Sequence, residues 1–306
     1  MISMSPNDIV LSVISRTAPI HPLPEWQGKG SCDVLRLDKL DALVSGNKIF
    51  KLMGHLQAWQ ASGRRGLLSF GGAYSNHLHA LAAVCAQANV PLTLMVRGFA
   101  ELPLTPTLVD CQAWGAQLQF CSRREYALRY DEAYRQNLAQ QWDAWVIPEG
   151  GDGPEGRQGC ALIAERSSGY DEVWLALGTG TTALGIATKL AAQTKLVGVN
   201  CVADQGEQQE RWQRELGSGK DWQVLDEYHG GGFGRYPDAV KHVIQRYDAL
   251  ELPLDPVYTA KVIWALEQEQ AAGRLSNVRR LIIHTGGLQG RRGVDLSLIP
   301  AASCLA

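Results

Sequence analysis

Twice in this sequence a short apolar run ends in glycine and passes at once into residues at helical spacing. "GLLSFGG" (66–72) is followed by "SNHLHALAAVCAQA" (75–88), and "EVWLALG" (172–178) by "TGTTALGIATKL" (179–190). The alternation continues with strands expected at 91–98, 117–122, 142–151, 195–202 and 279–287, and helices at 108–116, 126–141, 159–167, 181–193 and 259–272. Repeated strand–helix order implies parallel sheets covered by helices, with ligands received at the carboxyl ends of the strands. The Gly/Pro-rich "GGDGPEGRQG" (150–159) is a candidate crossing between two subdomains, and "EYHGGGFGRYP" (227–237) reads as a loop.

A chain of 306 residues, 45% hydrophobic, has enough material for two domains or one large α/β unit. Its 29 basic and 31 acidic residues leave a net charge of −2 with no basic stretch, which argues against nucleic acid and for a small ligand. No apolar run reaches the roughly 18 residues of a membrane span, and the N-terminus lacks the basic leader of a signal peptide. Seven scattered cysteines, never spaced CxxC, suit reduced thiols in a cytoplasm, and without HExxH no metal is expected.

The strongest local signal is "LALGTGTTALG" (175–185). Gly178, Thr179, Gly180, Thr181 and Thr182 put backbone N–H groups and hydroxyls at a helix start, where an anionic phosphate is stabilised. The plain reading is a tight turn, but three threonines exceed what a turn needs. Gly178, Gly180 and Ala183 also fit G-x-G-x-x-A, with Asp204 downstream, so a nicotinamide-dependent oxidoreductase is a rival.

"SGNKIFKL" (45–52) places Lys48 and Lys51 one turn apart at a helix start, against the helix dipole. They could be solvated cations opposite an apolar face of Ile49, Phe50, Leu52, Met53, Leu56 and Trp59. In a chain with a phosphate loop a second reading opens. One lysine can form a Schiff base with a phosphate-bearing aldehyde while the other pairs with the phosphate. In "SFGGAYSNHLHA" (69–80), Ser75 and Asn76 are good helix caps or a hydroxyl and an amide held over a ligand. In "LDPVYTAK" (254–261), Thr259 could be a cap and Tyr258 a core-edge residue.

Together these four segments resemble the 1-aminocyclopropane-1-carboxylate deaminase and D-cysteine desulfhydrase family. These are pyridoxal phosphate enzymes of fold type II, the tryptophan synthase β-like α/β fold with two domains. The resemblance runs from about Val34 to Gly290 in family order. It implies pyridoxal 5′-phosphate as cofactor, Lys48 as the Schiff-base lysine and Lys51 as a phosphate partner. It further implies Gly178 to Thr182 as the phosphate cradle, Asn76 on the ring hydroxyl, and Thr259 facing the pyridine nitrogen. Ser75, Asn76, His77, Phe233 and Tyr258 would lie on the substrate side, with Lys48, Ser75 and Tyr258 catalytic.

The resemblance also has departures. Thr259 stands where the deaminases carry glutamate, Phe233 where they carry a second tyrosine, Tyr74 where glutamine is usual, and Cys160 where many relatives have tyrosine. A neutral hydroxyl at the ring nitrogen suits β-elimination better than reactions needing a strong electron sink. The expected activity is α,β-elimination from a small amino acid, D-cysteine or a β-substituted D-alanine, giving pyruvate and ammonia. The alternatives are a cyclopropane-carboxylate deaminase and a non-catalytic pyridoxal-phosphate-binding protein. The expected organisation is a discontinuous large domain, 1–49 and 153–306, a small domain, 50–152, and a cytoplasmic homodimer.

Overall fold

The computed structural model describes residues 4–294. Helix α1 (Pro6–Ile14) is capped by Ser5 and followed by strands β1 (Ile20–Pro22) and β2 (Ser31–Arg36). Helix α2 (Lys48–Ser62) then leads into a first βα series. That series comprises β3 (Gly66–Gly72), α3 (Asn76–Ala88), β4 (Leu92–Arg97), α4 (Pro106–Ala113) and β5 (Gln117–Cys121), then α5 (Arg123–Ala127), α6 (Glu132–Gln141) and β6 (Ala144–Ile147). The second series begins with α7 (Pro154–Cys160), β7 (Glu172–Leu177), α8 (Thr181–Ala187), β8 (Lys195–Asn200) and α9 (Glu207–Glu215). It ends with β9 (Trp222–Leu225), α10 (Asp238–Ala249), α11 (Thr259–Ala271) and β10 (Arg279–His284).

The strands form two sheets. One, in the order β5-β4-β3-β6, is wholly parallel and comes from residues 66–147. The other, β1-β2-β10-β7-β8-β9, is parallel except where β1 meets β2. In it Ile282 of β10 lies opposite both Val34 of β2 and Trp174 of β7, so an early strand and the last one share the middle of the sheet. This is the parallel-rich, helix-covered α/β architecture the alternation implies.

Three expected elements differ, the first being the helix over 159–167, which is the end of α7 followed by a 3₁₀ helix, Ala161–Ser167. The helix expected over 126–141 is broken at Asp131, whose extended backbone lets its carboxylate cap α6 by accepting from the Tyr134 amide. The glycine-rich stretch at 150–159 is not a plain linker, because residues 154–160 form α7. Its glycines serve close packing. A Cβ on Gly159 would run into the Phe50 carbonyl of α2, one on Gly156 into the Gly151 carbonyl, and one on Gly54 of α2 into the Glu155 carbonyl. Helices α2 and α7 therefore touch backbone to backbone.

The apolar face of α2 completes the joint. Ile49, Phe50, Leu52, Met53 and Leu56 are all buried, and each such side chain contributes about 1.5–3 kcal/mol of transfer free energy. Ile49, Leu52 and Leu56 join one core that includes Leu67 and Leu94 of the small sheet and Leu175 and Leu281 of the large one.

Overpacking a tight backbone contact typically costs about 1–3 kcal/mol. Gly159→Ala should therefore lower the denaturant midpoint of the protein clearly. Gly219→Ala, whose added carbon meets nothing nearer than 3.5 Å, should leave it unchanged.

Candidate functional site

The carboxyl ends of β3, β6, β7 and β10 converge on a cleft of about 480 Å³. The start of α2 supplies Asn47, Lys48 and Lys51, the start of α3 supplies Asn76, and the loop after β7 supplies Gly178, Thr179, Gly180 and Thr182. Tyr258, before α11, together with Thr285 and Gly286, after β10, completes the wall. Six segments, the outermost nearly 240 residues apart, thus meet around one space.

The backbone at 46–48 is pinned where the two sheets join. Gly46 has φ +77°, and a Cβ there would strike the Thr285 carbonyl, so only glycine fits. The Asn47 amide donates to the same carbonyl at 3.1 Å. Asn47 Nδ2 donates to Thr182 Oγ1 at 2.7 Å, tying the start of α2 to the start of α8. Lys48 Nζ is thereby aimed into the cleft, 2.8 Å from Asn47 Oδ1 and 5.9 Å from the centre of the Tyr258 ring.

Burial, and then the charge of Lys51, pull the Lys48 amine down to about 7. A large fraction is therefore the neutral nucleophile near neutral pH. Lys51 is also lowered by burial, and its ammonium donates to Gly150 O at 2.9 Å and Thr179 Oγ1 at 3.2 Å. Tyr258 is raised far above the usual phenol range by burial, so it stays protonated and can donate. Among the described residues, no carboxylate lines the cleft.

The loop after β7 has the form of an anion cradle. Gly180 takes φ +78°, and among the described residues no carbonyl or side chain accepts from the Thr179 or Gly180 amides. A side chain on Gly178 would crowd the Tyr258 ring at 3.0 Å. Thr179 Oγ1 and Thr181 Oγ1 are 2.8 Å apart, and Thr181 in turn donates to Asp152. Open amides, a lysine ammonium and hydroxyls at one end, with a neutral amine at the other, fit a phosphorylated aldehyde.

The remaining expected site residues lie outside the lining. Ser75 Oγ caps α3, accepting from the Leu78 amide at 3.3 Å. His77 is buried with Nε2 2.9 Å from Ser69 Oγ of β3, and burial keeps its ring well below the usual imidazole range. Thr181 is fully buried behind the cradle. Thr259 Oγ1 donates to Asp255 Oδ1 at 2.7 Å and accepts from the Asp255 amide at 2.8 Å. Phe233 is exposed at the rim, its ring centre 6.3 Å from that of Tyr258. Asn47, Gly150, Thr285 and Gly286 line the cleft without being among the expected residues, although "PEGG" and "IHTGG" carry the same strand-then-glycine signature as the other two glycine loops.

A family model described as "Pyridoxal-phosphate dependent enzyme" matches residues 13–286. The chain belongs to this pyridoxal-phosphate dependent enzyme family. Within it, the chain is 28% identical over 285 residues to a Thermotoga maritima protein provisionally named a 1-aminocyclopropane-1-carboxylate deaminase, covering 84% of this chain and 88% of that one. It is 28% identical over 313 residues to a D-cysteine desulfhydrase of Salmonella paratyphi B, covering 90% and 93%. The fold is shared with a crystal structure described as an ACC deaminase homologue, with TM-score 0.77, 22% identity, and 94% and 96% coverage. Membership makes pyridoxal phosphate the cofactor and removes the nicotinamide reading. Asp204, which that reading needed, instead accepts from Asn200 Nδ2 at 2.8 Å through Oδ1.

The lowered Lys48 sets a pH dependence of stability. Its amine is protonated below about 10.5 in the unfolded chain but only below about 7 in the folded one. Between those values the unfolded state holds more protons, so this residue's penalty on folding is full below 7 and vanishes above 10.5. Cofactor-free Lys48→Met should thus have a higher melting temperature than cofactor-free wild type at pH 6. The gain should shrink steadily as the pH is raised toward 10.

Proposed function

We propose that this cleft holds pyridoxal 5′-phosphate with its phosphate on residues 178–182 and its aldehyde at Lys48, and that the protein carries out α,β-elimination on a small amino acid. D-cysteine or a β-substituted D-alanine is the proposed substrate, with pyruvate and ammonia as products. The observation that carries this reading is the neutral-poised Lys48 amine beside a protonated Tyr258, facing a cradle with open amides. When bound, pyridoxal phosphate supplies covalent capture of the substrate amine and an electron sink. The relatives named as D-cysteine desulfhydrases support the substrate class.

The chain's own residues divide the remaining work. Lys48 Nζ takes the proton from the substrate Cα, its lowered affinity for protons matching it to that exchange near neutral pH. The Tyr258 hydroxyl, kept protonated by burial, donates to the leaving group. Ser75 lies just outside the lining, next to Asn76, which is in it; its Oγ accepts from the Leu78 amide, and its O–H is left to reach a substrate carboxylate at the cleft edge. Lys51 and Thr179 hold the phosphate. Thr259, engaged by Asp255, offers no charge to a ring nitrogen, and no carboxylate in the lining does so either. That favours substrates whose leaving group accepts the electron pair over ring opening. The reading includes a small domain of about 50–152, a large domain from the rest, and a homodimer.

The cradle is tested by replacing Thr179 and Thr182 with valine. Each lost hydrogen bond to a charged group is worth about 1.5–3 kcal/mol. The double variant should therefore release the cofactor on dialysis that leaves the wild type loaded. Unchanged retention would place the phosphate elsewhere.

The substrate class is tested by pyruvate release at saturating substrate. D-cysteine or β-chloro-D-alanine should turn over readily, and 1-aminocyclopropane-1-carboxylate little or not at all. Faster turnover of the cyclopropane than of every β-substituted alanine would overturn the assignment.

A further inference from the structure

Helix α9 lies behind the loop after β7 and contributes no residue to the cleft. Two of its side chains nevertheless reach that loop. Gln208 Nε2 donates to the Gly178 carbonyl at 3.0 Å, and Arg211 Nη1 donates to the Thr179 carbonyl. Gln208 is buried and packed directly on Gly180, where a Cβ would come within 2.6 Å of its Oε1. Arg211 also pairs with Asp152 at 3.1 Å, and Asp152 accepts from Thr181 of the same loop. Arg157 of α7 then ties Glu215 at the far end of α9, so the helix is anchored at both ends.

The geometry points to Gln208 and Arg211 as positioning residues that orient the amides of the phosphate cradle from behind. In a trans peptide the C=O and the following N–H point opposite ways, and no peptide bond among the described residues is cis. Capture of the Gly178 oxygen by Gln208 turns the Thr179 N–H away from α9, toward the cleft. Capture of the Thr179 oxygen by Arg211 does the same for the Gly180 N–H. Among the described residues both amides lack a partner, as donors kept for an anion would. A loop with two glycines would otherwise sample other peptide orientations, and its dipoles would not be set in advance. Arg211 has a second effect: it neutralises Asp152, a carboxylate close enough to the cradle to repel a phosphate dianion.

This inference rests on residues 178–182 being the phosphate site, and the test separates the two ideas. Cofactor-free wild type, Gln208→Met, Arg211→Met, Arg211→Lys and the Thr179/Thr182 double valine variant are titrated by absorbance with pyridoxal phosphate and with pyridoxal, which lacks the phosphate. Gln208→Met and Arg211→Met should weaken pyridoxal phosphate at least tenfold and leave pyridoxal within twofold, with Arg211→Lys restoring part of the loss. Equal losses for both ligands would reduce α9 to a general structural support and overturn the inference, as would no loss for either methionine variant. Should the valine pair show phosphate-dependent loss while the methionine variants show none, the cradle stands and the brace falls. Should no variant distinguish the two ligands, both fall. The melting temperatures of the cofactor-free variants confirm that each is folded at the titration temperature.

Discussion

The bare contact between Gly159 of α7 and the Phe50 carbonyl of α2 is the constraint on which the site depends. Helix α2 leaves the large sheet at Gly46 and Asn47, both held by the Thr285 carbonyl region, and then runs across α7 with no side chain between the two backbones. Its apolar face shares one core with both sheets. Lys48 and Lys51 sit on the first turn, just before this crossing. A displacement of α2 by the width of a methyl group would lift both lysines away from Tyr258, Gly150 and Thr179, whose distances are set by rigid elements.

That same placement concentrates positive potential where the fold does least to relieve it. Two lysines share one helical turn at the positive end of a helix dipole, largely out of water, and no carboxylate lines the cleft among the described residues. The structure responds in two ways. Lys48 sheds its proton readily, whereas Lys51 keeps its ammonium engaged by a carbonyl and a hydroxyl. The unneutralised charge and the open amides at 179 and 180 destabilise the empty site, and an anionic ligand that binds only the folded state offsets that cost. A nearby carboxylate is turned to use instead: Asp152 is paired by Arg211 and bonded by Thr181, so it braces the cradle without opposing it.

The buried polar groups around the cleft form layers with different tasks. Groups that face the cavity keep hydrogen-bonding capacity in reserve. Groups one step behind it bond to each other, Thr259 to Asp255 and His77 Nε2 to Ser69, although His77 Nδ1 has no partner among the described residues. A threonine hydroxyl locked onto the carboxylate that organises the start of α11 cannot contribute charge at the cleft.

Much of this could be read from the sequence because the fold places ligands at strand ends and marks those ends with glycine. "GLLSFGG", "LALGTGTT" and "IIHTGG" each close a strand, and Gly178, Gly180 and Gly286 of the latter two line the cleft. The order of strands and helices determined a parallel α/β architecture, since the two periodicities are local properties of the chain. The motifs together with the family resemblance led Lys48, Lys51, Asn76, Thr179 and Tyr258 to be expected in one ligand site, and all five line the cleft. What only the tertiary structure decided is direction and distance. Consecutive helical residues point different ways, so Asn76 enters the cleft while His77 turns to Ser69. Glycines at 156 and 159 look like loop residues until another backbone is seen pressed against them. The reach of Gln208 and Arg211 back to a loop 30 and 32 residues earlier leaves no trace in local spacing. Such contacts depend on where separate elements come to rest, and that is decided by how their buried faces pack together.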